Sequence, residues 1–270
     1  MRSGILGNFV FVRHTFNEVL TRSFSSVAKS GRLVIGRHGE TDLNGKKIWT
    51  GWLNAMINTT GEAQSNNLGR ALKEIQFSPD IVYTTDLVRA HRTTEIALNA
   101  MQCFTPIKTE KRMREQHVGK FTGTIKTDES KKIVKGPNTK PEPMDSDHPC
   151  SLDMIENPLN GVATESRNDV IKRTKEFYDQ ELKIDLKNGH NVLLVAHSNS
   201  LKALYAGITQ EKEPKEIIVG NAEPMELKFQ LDEKGELEFV EMVKILSPAT
   251  QINSPKINNP KMDETLVRST

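Results

Sequence analysis

The chain reads as an α/β protein: a mostly parallel sheet between two helical layers, a three-layer α/β/α sandwich occupying residues 31–246. Three observations carry this expectation. Strand-like and helix-like apolar patterns alternate along the chain, the order in which βα units build a parallel sheet. Two apolar runs, Arg32–Arg37 (RLVIGR) and Asn191–Ala196 (NVLLVA), are continuous rather than alternating, as in strands covered on both faces. With 270 residues, 36% of them hydrophobic and 27% charged, there is enough apolar surface for one large domain.

The elements follow in order. Arg32–Arg37 is a short buried strand bounded by Gly31 and Gly39. From Gly61, the residues Leu68, Ala71, Leu72 and Ile75 recur at helical spacing and stop before Ser78-Pro79. Ile81-Val82-Tyr83 is a second strand. A helix over 86–101 places Leu87, His91, Thr94, Leu98 and Met101 together, with Asp86 positioned to cap it. Ile107 sits in a brief third strand. Residues 119–163 lack sustained periodicity and read as a long functional excursion over the domain. A helix after Thr164 carries Val170, Ile171, Thr174, Phe177, Tyr178 and Leu182 on one face and ends at Asn188-Gly189. The strand Asn191–Ala196 is followed by His197 and an apolar helical stretch. Met225–Leu231 and Leu237–Val243 alternate as a hairpin around Asp232-Glu233-Lys234-Gly235. Residues 247–270, poor in apolar side chains, read as a mobile tail.

Composition excludes several functions. No apolar run approaches the roughly 18–20 residues of a membrane-spanning helix. Two cysteines, Cys103 and Cys150, rule out a disulfide framework and a cysteine-rich zinc site. A formal charge of +2 gives no argument for nucleic acid, and neither nucleic acid nor membrane is expected as a partner. The charge is uneven, however. Residues 1–30 hold Arg2, Arg13, Arg22 and Lys29 against the single acid Glu18, the composition of an organelle transit peptide. Arg22-Ser23-Phe24-Ser25 resembles a mitochondrial processing site, so the mitochondrial matrix is the expected location, with the cytosol as alternative.

Two strands end in the same way, Arg32–Arg37 running into His38 and Asn191–Ala196 into His197. Parallel sheets bind ligands beyond the carboxyl ends of their strands, so both histidines belong on the ligand edge. Arg37 beside His38 offers a planar donor fork suited to phosphate, and Gly39 permits close backbone approach. A histidine nucleophile attacking phosphorus needs this combination of a free ring nitrogen and surrounding cations.

The run Arg37–Asn44 (RHGETDLN) followed by Thr50-Gly51-Trp52 resembles the signature of the histidine phosphatase superfamily, and more narrowly the cofactor-dependent phosphoglycerate mutases. Further matches are collinear: Thr84-Thr85-Asp86-Leu87 leading to Arg89-Ala90 and Arg92-Thr93, Arg114-Glu115 with His117, Gly119 and Thr122-Gly123, Lys126, Met144 with Asp147-His148-Pro149, Glu165-Ser166, and Ala196–Leu201. The tail segment Asp263–Arg268 resembles the one that closes over the site in mutases. The resemblance spans roughly residues 32–243. It implies a phosphoglycerate mutase fold and ping-pong interconversion of 3- and 2-phosphoglycerate through a phosphohistidine at His38, primed by 2,3-bisphosphoglycerate. Arg37, Arg89 and His197 would surround the phosphoryl group, with Glu115 as acid and base. Asn44, Thr50, Gly51, Lys126, Ser198 and Asn199 would complete the substrate cradle. The substrate is a small phosphorylated acid and no metal is required. Monomer and homo-oligomer are both compatible with the sequence.

Departures from the mutase pattern point toward hydrolysis as the alternative. Gln116 stands where mutases carry an arginine, Val118 replaces an aromatic, Ile48 replaces an arginine, Ser198 a glycine, and an arginine pair is reduced to Lys135 and its lysine neighbours. The family arginines at such positions hold the second anionic group, so their loss should weaken retention of a doubly charged ligand. Trp49 and Trp52 are expected to frame the entrance. A phospholigand-binding relative without catalysis is the remaining reading, disfavoured because Arg37, His38, Arg89, Glu115 and His197 are all present.

Overall fold

The structure is a computed structural model. It describes residues 29–145, 147–150, 164–210, 217 and 219–246. Among them, six strands form one sheet in the order β3-β2-β4-β1-β5-β6. They are β1 (Leu33–Arg37), β2 (Ile81–Thr84), β3 (Ile107–Thr109), β4 (Val192–Ala196), β5 (Met225–Leu231) and β6 (Leu237–Lys244). The first four run parallel, β5 returns antiparallel against β1, and β6 pairs antiparallel with β5. The helices are α1 (Asp42–Gly45), α2 (Thr59–Glu74), α3 (Val88–Met101), α4 (Asp128–Lys135), α5 (Arg167–Phe177), α6 (Lys183–Lys187) and α7 (Ser198–Thr209).

The continuous apolar runs are buried on both faces because successive side chains of a strand point to opposite sides. Leu33, Ile35, Val192, Leu194 and Ala196 pack with Phe177, Leu182, Leu186, Leu201 and Leu204 of the α5–α7 layer. Val34, Val82, Leu193 and Val195 pack with Leu68, Leu72, Ala97 and Leu98 of α2 and α3. Each such side chain contributes about 1.5–3 kcal/mol on burial. The three-layer sandwich is therefore present as the sequence predicts.

Two local expectations are corrected. Asp86 does not cap α3: the N-cap is Leu87, without a side-chain cap, and the Asp86 carboxylate is instead taken by the guanidinium of Arg114. The excursion after Gly119 is not wholly irregular, since it contains α4, started by reciprocal bonds between Thr127 and Ser130. Only Ile133 and Val134 are apolar in α4, too few to display a helical repeat. The helix after Thr164 starts at the Ser166 cap and passes through a π turn at Tyr178–Leu182 into α6. Asn188-Gly189 ends it as expected, Gly189 adopting φ +82°. The β5–β6 turn is closed by Asp232 Oδ1, which accepts from the N–H groups of Lys234 and Glu236. The leader up to residue 28, residues 151–163 of the excursion, and the tail 247–270 with its Asp263–Arg268 segment lie outside the described residues.

Where β1 ends, the chain presses against the start of α2. A Cβ on Gly39 would lie 2.4 Å from the Gly61 carbonyl oxygen, and one on Gly61 would lie 2.3 Å from that of Glu40. Only hydrogen at both positions allows this approach, which fixes the turn after His38. Gly61→Ala should therefore cost about 1–3 kcal/mol in urea unfolding and displace the His38 turn; an undiminished midpoint would contradict the contact.

Candidate active site

Parallel pairing of β1 with β4 aligns Arg37 with Ala196, so the residues that follow, His38 and His197, leave the sheet side by side. The His38 N–H donates to the Ala196 carbonyl at 3.0 Å, extending the ladder by one residue. The two imidazole rings are 5.2 Å apart, tilted by 52°. His38 is 3% exposed and His197 is fully buried. His38 Nδ1 lies 2.7 Å from the Gly39 carbonyl, an acceptor only, so Nδ1 carries the proton and the Nε2 lone pair is left for attack. Burial, followed by the charges of Arg89 and Arg37, holds His38 well below the ordinary imidazole range. Burial and Arg89 do the same to His197.

Arg89, in the first turn of α3, is 1% exposed, not the surface cation its helical position alone would suggest. Its guanidinium donates to the carbonyls of Leu53 and Gly51, both at 2.8 Å, while Nε has no partner among the described residues. Arg37 Nε is likewise buried without a partner among them. Burial brings the Arg89 pKa down to about 10 and also lowers that of Arg37, with Glu115 opposing both shifts. Two cations desolvated without bonded carboxylates define a receptor for an anion.

These groups open into a hollow of about 280 Å³. Its lining holds Arg37, His38, Asn44, Thr50, Gly51, Arg89, Glu115, Lys126, Ser198 and Asn199, so every site residue expected from the sequence is there except His197. His197 sits one layer deeper, behind His38. Lys126 lies 4.7 Å over the Trp49 ring, and burial lowers its pKa. Lys131 and Lys135 of α4 and Lys202 of α7 also line the hollow. Lys131 is one of the lysine neighbours of Lys135 in the sequence. Lys202 went unnoticed, although its place one helical turn after Ser198 puts it on the same face of α7. Among the described residues the hollow thus carries six cationic side chains and one carboxylate.

That carboxylate, Glu115, is held from several sides. Its Oε1 accepts from the N–H groups of Gln116 at 2.8 Å and Asn199 at 3.2 Å. Its carbonyl accepts from Trp52 Nε1 at 2.6 Å and from Arg173 at 3.0 Å. Arg173 also forms a two-bond pair with Glu165, whose other contact is the His117 N–H. Trp52 is 1% exposed beneath the site rather than at its entrance; Trp49 alone of the pair lines the hollow. Gln116 is also turned away from the hollow. Its amide donates to the carbonyls of Val134 and Glu165, so it ties α4 to the Glu115 segment and offers nothing to a substrate. Among the described residues no group of three or more His, Cys, Asp or Glu could hold a metal ion.

A histidine on the end of a parallel strand, a neighbouring histidine, and arginines without acid partners define a phosphoryl-binding centre of the kind built on histidine. The chain belongs to the histidine phosphatase superfamily, branch 1, whose profile matches residues 33–241. Among curated relatives, a Corynebacterium jeikeium protein named 2,3-bisphosphoglycerate-dependent phosphoglycerate mutase is 31% identical over 244 residues, covering 84% of this chain and 91% of its own. A Corynebacterium efficiens protein of the same name is 33% identical over 190 residues, covering 66% and 76%. Among solved structures, the mycobacterial glucosyl-3-phosphoglycerate phosphatase superposes with a TM-score of 0.60 at 21% identity, covering 78% of this chain and 97% of its own. A phosphoserine phosphatase of Entamoeba histolytica gives 0.55 at 19% identity, covering 79% and 96%. At those identities the structural likeness shows the fold.

The depressed histidines make stability depend on pH. Above 6.5 both rings are neutral in folded and unfolded chains, so they contribute no slope. Below 6.5 the unfolded chain takes up protons that the folded chain refuses, and stability falls as pH falls. His38→Asn should flatten this dependence in urea titrations between pH 6.5 and 5; an unaltered slope would show that His38 titrates normally in the fold.

Proposed function

We propose that the protein is a phosphoglycerate mutase, interconverting 3- and 2-phosphoglycerate through a phosphohistidine at His38. The observation that carries this reading is the excess of six cations over one carboxylate in a single hollow. A phosphoglycerate brings about three negative charges at neutral pH, two from its phosphate and one from its carboxylate. Arg37 and Arg89 stand beside His38 at the reacting end, and Lys131, Lys135 and Lys202 supply positive charge for a second anionic group.

In the reaction, His38 already carries a phosphoryl group; the free hydroxyl of 3-phosphoglycerate attacks it, the phosphorus–nitrogen bond breaks, and Glu115 takes the hydroxyl proton. The freed His38 Nε2 lone pair then forms a bond to the other phosphorus of the same glycerate as its phosphorus–oxygen bond breaks. Glu115 returns the proton to the leaving oxygen, and 2-phosphoglycerate departs with His38 phosphorylated again. Charge spread over the equatorial oxygens is met by Arg37 and Arg89, so positioning and electrostatics supply the rate. The residues fit 2,3-bisphosphoglycerate as the phosphoryl source that charges His38, since it presents phosphate to both ends of the cationic hollow.

A second reading is a phosphatase acting on a small phosphorylated acid. Two observations favour it: the second anionic group meets lysines, which are point charges without the fork of arginine, and Gln116 is committed to backbone carbonyls. If phosphoglycerate is held too weakly to accept the phosphoryl group from His38, water takes it instead. Solved structures of similar fold are named as phosphatases, whereas the curated relatives are named as mutases.

Purified protein given 3-phosphoglycerate should form 2-phosphoglycerate, faster with 2,3-bisphosphoglycerate; free phosphate as main product would establish the phosphatase instead. His38→Ala should abolish acid-labile phosphoenzyme labelling and reduce kcat roughly 10⁴-fold or more, and persistent labelling would reject the nucleophile. Lys131→Ala with Lys135→Ala should raise KM for phosphoglycerate about 10- to 100-fold while sparing p-nitrophenyl phosphate hydrolysis. Equal effects on both substrates would remove the second anion subsite.

A further inference from the structure

The two imidazoles are each engaged at one nitrogen, but by partners of different kinds. His38 Nδ1 faces a carbonyl, whereas His197 Nε2 faces a hydroxyl, Thr85 Oγ1, at 2.9 Å. A hydroxyl donates one hydrogen bond and can accept two, so the direction here depends on where its single proton can go. The Leu87 N–H is directed at the same oxygen at 3.3 Å, so Thr85 Oγ1 already serves as an acceptor there. Thr85 is fully buried, out of reach of solvent. Among its contacts with the described residues, the His197 ring nitrogen is the one able to receive the hydroxyl proton. A buried hydroxyl keeps its proton paired where it can. Thr85 therefore donates, Nε2 accepts, and the neutral ring of His197 carries its own proton on Nδ1.

The fold holds this arrangement stiffly. Thr85 and His197 follow the ends of neighbouring parallel strands, β2 and β4, with Thr84 registered on Val195 and its hydroxyl bonded to the Val195 carbonyl at 3.0 Å. His197 Nδ1 is shielded from solvent, has no hydrogen-bond partner among the described residues, and belongs to the ring packed against His38. We propose that Thr85 is a positioning residue that fixes His197 as the Nδ1–H tautomer, making that N–H a donor to the phosphoryl group carried by His38. The donor half of this inference rests on the reading of His38 as phosphoryl acceptor; the tautomer half does not.

The test separates the two. In the full chain labelled with ¹⁵N-histidine, His197 (assigned by its loss in His197→Asn) should show Nδ1 protonated and Nε2 bare at neutral pH. A protonated Nε2 overturns the proposal whatever the enzyme does. Inorganic phosphate should shift the His197 Nδ1–H resonance, and no shift at saturating phosphate overturns the donor role. Thr85→Val keeps the side-chain shape without the hydroxyl. It should mix the tautomers and lower kcat on the order of ten- to hundredfold with little change in KM, and Thr85→Ser should restore both. A Thr85→Val protein with the wild-type His197 spectrum refutes the assignment. A wild-type protein that never labels at His38 but keeps the Nδ1–H spectrum would defeat the mutase reading while upholding the tautomer.

Discussion

The site depends on one piece of register: β1 lies parallel to β4 with Arg37 opposite Ala196. Strand pairing is periodic in two residues, and a slip by one would turn His38 toward the opposite face of the sheet. In the observed register both histidines clear the sheet at the same level. Desolvation and the adjoining guanidinium of Arg89 then favour the neutral form of both rings, the form that the proposed reaction requires.

That arrangement carries an electrostatic cost. Burying a cation costs several kcal/mol even after relaxation, and among the described residues Arg89 is bonded to two backbone carbonyls and no carboxylate. The surrounding apolar layers, with β4 buried along its whole length, offset this cost and leave the arginine field preorganised for an incoming anion. Charge that would normally be neutralised inside the protein is left for the ligand to neutralise.

Glu115 illustrates a different principle. It lies in a loop segment, yet its carbonyl is gripped by Trp52 and Arg173 and its carboxylate by two backbone N–H groups. Gln116 links the same segment to α4, so the lysines on that helix and the carboxylate are held by one scaffold. A residue that in comparison with mutases looks like a lost substrate contact is here a structural tie.

The sequence by itself determined the layers and the placement of the two histidines. Continuous apolar runs signal strands covered on both faces, and a histidine directly after each of two such runs marks the ligand edge, because both are local patterns set by strand periodicity. The family motif added Arg89 and Glu115, which no periodicity would have singled out. The tertiary structure alone decided the rest. Asp86 looked like a helix cap but pairs with Arg114; Trp52 looked like an entrance residue but supports Glu115 from below; α4 was hidden by its shortness; and Lys202 entered the hollow unannounced. Apart from α4, whose cap is local, each of those outcomes is set by partners distant in the chain, and a side chain with several possible partners shows its choice only once packing has brought them within reach.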